Sequence, residues 1–210
     1  MNVAGLDLAG VEARETGFCV MDERMKAETS TLHSDAEILE EVVDVKPRVV
    51  AIDAPLSLPR GRCCLRDDCA CRGGGHLREC DRALKRMGIR FFPVTLGPMR
   101  KLTERGLRLK SMLREAGLEA VEVYPGGAQD VLGLPRKHGG LEALRRGLEG
   151  IGVRGLRSGL SSHELDAVTC ALVGILYAEA RYLALGDPGE GLIVMPEPRT
   201  GATPRQRKRK

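Results

Sequence analysis

Acidic residues inside short apolar segments place the strongest constraint on how this chain can fold. Asp7 lies between two leucines at the end of a segment typical of a β-strand, Asp53 ends a second such segment, and Glu122 lies between two valines in a third. An ionised carboxylate removed from water is costly unless an opposite charge, hydrogen bonds or a metal ion compensate it. The fold must therefore bring these three carboxylates to compensating partners.

The hydrophobic pattern predicts a mixed α/β sheet. Strands are expected over residues 3–8, 16–21, 25–31, 48–53 and 120–124, and helices over residues 34–44, 76–87, 98–116 and 162–185. The first three strands are joined by short polar connections at meander spacing, and a Ser-x-x-Glu capping box begins both the first and the last helix. These elements predict a five-stranded mixed sheet flanked by helices, with a Cys-rich, basic, helical insertion after the fourth strand.

The length of 210 residues suits one domain with an insertion better than two domains. We expect the domain over residues 1–196, the insertion over 60–117 and a disordered basic tail over 197–210. The longest nearly uninterrupted apolar segment, residues 167–178, is shorter than the roughly 18 to 20 residues of a bilayer-spanning helix. Residues 1–10 lack the basic start of a signal peptide. The sequence therefore predicts a cytoplasmic protein without a membrane partner.

Basic and acidic residues are segregated along the chain. Residues 60–110 carry a net charge of +9, and residues 199–210 carry six basic groups and no acid, although the whole chain has a net charge of only +4. A basic segment on an acidic body is typical of a protein that binds phosphates. A solvated basic helix explains the same residues without any function. The candidate nucleic-acid contacts in the insertion are Arg78, Arg82, Lys85 and Arg86.

The last predicted helix adds further polar residues to the carboxylates of the strands. His163 and Asp166 are three residues apart, so they share one face of that helix. Carboxylates that converge from strand ends and a helix supply the oxygen ligands that a hard divalent cation such as Mg²⁺ requires. The pattern therefore indicates a site for Mg²⁺ or Mn²⁺.

Five separated motifs resemble those of one known family. They are Gly-Leu-Asp-Leu-Ala-Gly (5–10), Ala-Ile-Asp-Ala-Pro-Leu-Ser-Leu-Pro (51–59), Arg-Glu-Cys-Asp-Arg (78–82), Glu-Val-Tyr-Pro-Gly (122–126) and His-Glu-Leu-Asp-Ala (163–167). In this order they are similar to the uncharacterised prokaryotic family of predicted nucleases with the ribonuclease H-like fold (domain of unknown function 429). The resemblance covers about residues 2–196. It implies that Asp7, Asp53 and Asp166 hold two metal ions for phosphodiester hydrolysis, with nucleic acid as the partner.

Each candidate catalytic residue has an expected role and a structural alternative. In a two-metal reaction Asp7 bridges both ions, Asp53 and Asp166 each complete one coordination sphere, and His163 assists proton transfer or product departure. Glu122 is the fifth candidate, although the wider superfamily does not always carry an acid on this strand. The structural alternatives are turn capping for Asp7 and Asp53, a solvated helix position for Asp166 and an ordinary helix N-terminus for His163.

Cysteines are concentrated in the insertion. Cys63, Cys64, Cys69, Cys71 and Cys80, with His76 nearby, offer soft ligands for a tetrahedral zinc site that would fold a segment without a core of its own. Their spacing is irregular, so an iron–sulfur cluster and free or redox-active thiols stay open as alternatives. The two other cysteines lie in apolar strand and helix patterns and are expected to be buried thiols, at Cys19 and Cys170.

Three functions from different classes are compatible with these features. The first is a metal-dependent nuclease, and the second is a nucleic-acid-binding protein that keeps the fold without cutting, against which the set of acidic residues argues. The third is a phosphotransferase of the actin-like superfamily. The sequence has no second Gly-rich hairpin and no Walker-type loop, and both absences argue against this function. With only six aromatic residues, the sequence gives no preference among DNA, RNA, hybrid and junction substrates.

Overall fold

One mixed β-sheet forms the centre of the computed structural model, which describes residues 1–198. The sheet has seven strands in the order β3-β2-β1-β4-β5-β7-β6. Strands β1, β4, β5 and β7 run parallel to one another, whereas β2, β3 and β6 pair antiparallel to their neighbours. The strand bounds are Asn2–Asp7 (β1), Thr16–Asp22 (β2), Ala27–Leu32 (β3), Val50–Asp53 (β4), Ala120–Val123 (β5), Tyr182–Asp187 (β6) and Gly191–Pro196 (β7). The mixed α/β architecture predicted from the sequence is confirmed.

Helices cover both faces of this sheet. Their bounds are Asp35–Val45 (α1), Glu79–Arg86 (α2), Met99–Glu115 (α3), Pro125–Leu132 (α4), Leu141–Gly150 (α5) and Ser162–Ala178 (α6). Helix α6 packs on the face that presents Val3 and Ala51, while α1 and α3 pack on the opposite face against Leu6 and Ile52. Helix α2 packs against the β6–β7 hairpin. None of the helices within residues 1–198 has the length and apolar character needed to cross a bilayer.

Two glycines let α6 approach the sheet closely. A Cβ atom at Gly5 of β1 would lie 2.2 Å from the carbonyl oxygen of Ala167, and one at Gly17 of β2 would lie 2.1 Å from that of His163. No side chain fits at such distances, since packed atoms need more than 3 Å between them. Because these two glycines have no side chain, the first turn of α6 can lie beside the carboxyl end of β1.

The strands formed by the last residues of the domain, β6 and β7, were not predicted from the sequence. The last helix was expected to reach residue 185, but it ends at Ala178, and Ala180 then adopts a left-handed conformation with φ 57°. The composition of residues 182–185 suits a helix as well as a strand. They form a strand because the turn after Asp187, whose carboxylate accepts a hydrogen bond from the Gly189 amide at 2.8 Å, pairs them with β7. The sheet consequently has seven strands rather than five.

The insertion has the two helices expected of it. Helices predicted over 76–87 and 98–116 are observed as α2 and α3, and the segment before them contains only a 3₁₀ turn over Ala70–Gly74. Most of the predicted basic tail, residues 199–210, lies outside the described residues, and residues 197–198 carry no regular structure.

Candidate active site

Two aspartates lie side by side where β1 and β4 end. Asp7 and Asp53 are register partners of these parallel strands, so both side chains leave the sheet on the same face. That face is the one covered by α6. The carboxyl edge of a parallel sheet thereby brings two acidic groups together that are 46 residues apart in the sequence.

The first two turns of α6 bring two more polar side chains to the same place. Ser161 caps this helix and accepts a hydrogen bond from the Glu164 amide at 3.1 Å, which confirms the predicted capping box. His163 then lies with Nδ1 2.6 Å from Oδ2 of Asp7. Glu164 faces elsewhere, because its carboxylate accepts hydrogen bonds from Thr29 and from Arg157 at 2.9 and 2.6 Å. His163 and Asp166 are thus the residues at the start of α6 that join the acidic site.

Asp166 is held by two residues that the sequence pattern did not single out. Its Oδ1 accepts a hydrogen bond from Nε2 of Gln129 at 2.9 Å, and its Oδ2 accepts one from Nζ of Lys137, also at 2.9 Å. Gln129 is a buried polar residue of α4, and this burial is visible only in the structure. Lys137 lies in a Pro- and Gly-rich segment without periodicity, so only its position in space reveals its role.

The electrostatics of the site are dominated by negative charge. Burial and the charges of Asp7 and Asp166 raise the pKa of Asp53 well above its ordinary value. Burial also raises the pKa of Asp166, although the hydrogen bond from Lys137 opposes this. The hydrogen bond to Asp7 raises the pKa of His163, against the effect of its partial burial. One lysine and one histidine therefore face three carboxylates that repel one another.

This donor set fits hard divalent cations. Within residues 1–198, the one group of three or more possible metal ligands whose donor atoms all lie within 4.8 Å of one another consists of four cysteines. The carboxylates of Asp7, Asp53 and Asp166 are therefore more widely spaced than the ligands of one closed site. Mg²⁺ and Mn²⁺ take oxygen ligands and commonly keep several waters, which a spread set of carboxylates allows. Bound cations would also relieve the repulsion among these groups.

Glu122 lies on the opposite face of the sheet from the acidic site, which corrects the expectation of a shared site. It is the register partner of Ile52 rather than of Asp53, and neighbouring residues of a strand point to opposite faces. Its Oε1 and Oε2 each accept a hydrogen bond from the Arg78 guanidinium at 2.7 Å, and Oε2 also accepts one from the Leu56 amide at 2.8 Å. Glu122 is therefore a fully paired buried carboxylate.

Arg78 also differs from the sequence prediction of a nucleic-acid contact. It is 1% exposed, and besides Glu122 it binds Asp81, with its Nη2 2.9 Å from Oδ1 of that residue. An arginine so enclosed cannot reach a phosphate in solution. The other predicted contacts lie on the outer side of α2 and are exposed, with Arg82 and Arg86 facing Glu79 at 3.7 and 2.8 Å, and with Lys85 beside them.

The structure divides the five clustered cysteines. Cys63, Cys64, Cys69 and Cys71 have all four sulfur atoms within 4.8 Å of one another. Cys80 is fully buried in α2 and is absent from this group, and Nδ1 of His76 lies 2.5 Å from the hydroxyl oxygen of Thr95 instead. The fifth cysteine and the histidine of the predicted zinc site are therefore not part of the cluster. Cys19 and Cys170 are buried, as expected.

A known nuclease fold resembles this architecture. RuvC of Thermus thermophilus in complex with a Holliday junction substrate matches with a TM-score of 0.51 and 16% sequence identity, over 85% of this chain and 96% of that one. A second Thermus thermophilus RuvC structure has a TM-score of 0.45 and 18% identity, over 86% of this chain and 97% of that one. The first likeness confirms the predicted ribonuclease H-like fold. No curated protein gives a significant sequence match.

The sequence also matches a protein family over most of its length. Residues 5–190 match the family described as "Protein of unknown function (DUF429)". The matched range begins in β1 and ends in the β6–β7 hairpin, so it contains both the acidic site and the cysteine cluster. The resemblance seen in the five sequence motifs is thereby confirmed, and the chain belongs to the DUF429 family.

Proposed function

We propose that this protein is a divalent-metal-dependent nuclease that hydrolyses phosphodiester bonds by a two-metal mechanism. One observation carries the proposal: Asp7, Asp53 and Asp166 converge at the carboxyl edge of a ribonuclease H-like sheet with more negative charge than their neighbours neutralise. Fold likeness alone does not define an activity, so the acidic site is the argument and the likeness to RuvC is its context.

Asp7, Asp53 and Asp166 would hold Mg²⁺ or Mn²⁺. Divalent cations at such a site supply an activated water and stabilise the charge that develops on the phosphate. Asp7 is suited to a central position because it lies beside Asp53 and His163 at once. Gln129 keeps Asp166 oriented through a hydrogen bond of 2.9 Å, as partners of metal ligands commonly do.

The two basic side chains of the site have distinct roles in this proposal. His163 is half-exposed and held by Asp7 through Nδ1, so its other ring nitrogen is available to exchange a proton with water or a leaving group. Lys137 is also half-exposed and keeps a positive charge beside Asp166. Its ammonium group is placed to attract a phosphate to the acidic site and to limit repulsion between phosphate and carboxylates.

The proposed partner is nucleic acid, and the proposed location is the cytoplasm. A Holliday junction is bound in the similar RuvC structure, which makes branched DNA the first substrate to try. A cluster of free cysteines, of which Cys63 is exposed and the others are half-buried, suits a reducing compartment. A protein that binds nucleic acid without cutting it is the principal alternative, and the cleavage assay separates the two.

Cleavage of defined substrates tests the proposal directly. Labelled four-way junction, duplex DNA, single-stranded DNA, RNA and RNA–DNA hybrid are incubated with excess protein in Mg²⁺, in Mn²⁺ and in chelator. We expect cleavage of at least one substrate with either cation and none in chelator. Binding without cleavage of every substrate would show that the acidic site does not act as a nuclease centre.

Replacing Asp53 with asparagine is expected to change stability in opposite directions with and without metal. In chelator, Asp53→Asn should raise the free energy of unfolding by about 1 kcal/mol, the usual size of a stabilising substitution, because it removes a desolvated charge and its repulsion from Asp7. In Mg²⁺ at 100 times its dissociation constant, the free energy of unfolding of the wild type should rise by about 2.7 kcal/mol, and that of the variant should rise less. Thermal unfolding in both conditions measures this crossover.

Asp44→Asn is the matched control, since Asp44 is an exposed residue near the end of α1. In chelator and in Mg²⁺ alike, it should change the free energy of unfolding by no more than about 0.5 kcal/mol, as is usual for surface substitutions. An equal response of all three proteins to Mg²⁺ would place the cation elsewhere.

The exposed basic residues of α2 are expected to contribute to nucleic-acid binding. Replacing Arg82, Lys85 and Arg86 with alanine should weaken binding and flatten its salt dependence, by about 0.9 in the logarithmic slope for each lost contact with duplex phosphates. Titrations at several salt concentrations measure the slope. Arg24, Arg48 and Arg114 are exposed basic residues outside this helix, and their triple alanine variant is the control. Equal losses in both variants would indicate net charge rather than a binding surface.

A further inference from the structure

The segment between β4 and α2 needs something other than a core to order it. Residues 60–75 form no strand or α-helix, and their one buried apolar side chain is Leu65. Irregular segments of more than about 12 to 15 residues are uncommon in compact domains unless they have a function. Burial of a single leucine does not offset the entropy of ordering such a segment.

The four clustered sulfur atoms have the spacing of a zinc site. Sγ of Cys63 lies 3.7 Å from Sγ of Cys69, and Sγ of Cys64 lies 3.7 Å from Sγ of Cys71. In a tetrahedral zinc site with Zn–S bonds of about 2.3 Å, neighbouring sulfur atoms are about 3.8 Å apart. All four sulfur atoms lie within 4.8 Å of one another, so they enclose a volume of the right size for one ion.

Basic residues of the segment suit the charge of a tetrathiolate site. Four thiolates around Zn²⁺ leave a net charge of about −2, which basic residues can offset. Arg62, Arg66 and Arg72 all lie in the same segment, and two of them bind its own carbonyl groups, Arg62 that of Gly75 and Arg72 that of Asp67.

We propose that Cys63, Cys64, Cys69 and Cys71 form a closed tetrathiolate site for structural zinc. The ion fixes residues 60–75, and that segment in turn braces the start of α3, where Arg100 binds both carboxylate oxygens of Asp67 at 2.7 Å. A full set of four protein ligands leaves no open position for a substrate or water. This site is independent of the proposed nuclease chemistry.

Metal analysis of matched cysteine variants tests the site. Protein purified from zinc-supplemented medium without chelator should contain about one zinc per chain. Cys71→Ser should lose most of the zinc, whereas Cys80→Ser should retain it, because Cys80 is buried away from the cluster. Replacement of zinc by Co²⁺ should give the intense absorption of tetrahedral cobalt–thiolate coordination in the wild type and in Cys80→Ser only.

A second measurement separates loss of zinc from loss of folding. Trypsin should cut rapidly after Arg62, Arg66 and Arg72 once zinc is removed, while circular dichroism shows that the sheet and helices persist. A Cys71→Ser variant with as much zinc per chain as the wild type would overturn the assignment of ligands. So would a Cys80→Ser variant that loses as much zinc as Cys71→Ser. Iron with labile sulfide in the purified protein, or zinc-free protein with a trypsin-resistant segment, would overturn the assignment of the metal.

Discussion

Replacing Asp7 with asparagine is expected to abolish measurable cleavage, with a fall of about 10³-fold or more in the single-turnover rate. Metal ions contribute several kcal/mol to the stabilisation of transition-state charge, and about 4 kcal/mol corresponds to 10³-fold. Asp7 lies beside both Asp53 and His163, so its loss disturbs the site at its centre. A neutral amide keeps the shape of the side chain but is a much weaker ligand for a hard cation.

Single-turnover rates on the best substrate, measured with wild type, Asp7→Asn and Asp44→Asn in parallel, give the comparison. The Asp44 variant loses the same charge at an exposed position of α1 and should cleave as the wild type does. Melting curves in chelator show that each protein is folded. Undiminished cleavage by a folded Asp7 variant would mean that a contaminant or another site performs the reaction, and it would end the proposal for this acidic site.

Replacing Arg78 with methionine is expected to destabilise the protein by about 3 to 5 kcal/mol, the cost of leaving buried charges without their partner. Arg78 is 1% exposed and forms ion pairs with Glu122 and Asp81, which are themselves 6% and 2% exposed. Methionine fills much of the space but donates no hydrogen bond. Two carboxylates would then stay in the interior with only backbone hydrogen bonds and no opposite charge, so the loss should exceed that of any exposed arginine.

Arg82→Met is the matched control, because Arg82 lies one helical turn further along and its side chain is 52% exposed. It should change the free energy of unfolding by less than about 0.5 kcal/mol. Urea unfolding of wild type and both variants measures the difference. Equal stabilities would show that Arg78 is not held in this buried network and would restore it as a candidate phosphate contact.

The two arginines also show where sequence patterns reach their limit. Both belong to the motif Arg-Glu-Cys-Asp-Arg, and both are basic residues of the helix predicted over residues 76–87. One is enclosed between Glu122 and Asp81, and the other is exposed. A motif records that a residue type is needed at a position but not whether that need concerns binding or stability.

Local physical rules were sufficient for most of the secondary structure. Capping boxes at Ser34 and Ser161 located the starts of two helices, since a cap depends only on residues three apart. Apolar segments located the first five strands, and the acidic residues at the ends of two of them were predicted to converge with those of the last helix. The family resemblance assigned Asp7, Asp53 and Asp166 to one site, and the structure brings these three residues together.

What the sequence alone did not determine was decided by contacts between distant segments. Register pairs Asp53 with Asp7 and Ile52 with Glu122, and this places Glu122 on the far face although it too lies in a strand. Lys137 acquires its role only because α4 and α6 pack together and bring its ammonium to Asp166. Sequence patterns report the conformation of neighbouring residues, whereas the face, the partner and the burial of a charged side chain depend on which strands and helices meet. That information exists only in the tertiary structure.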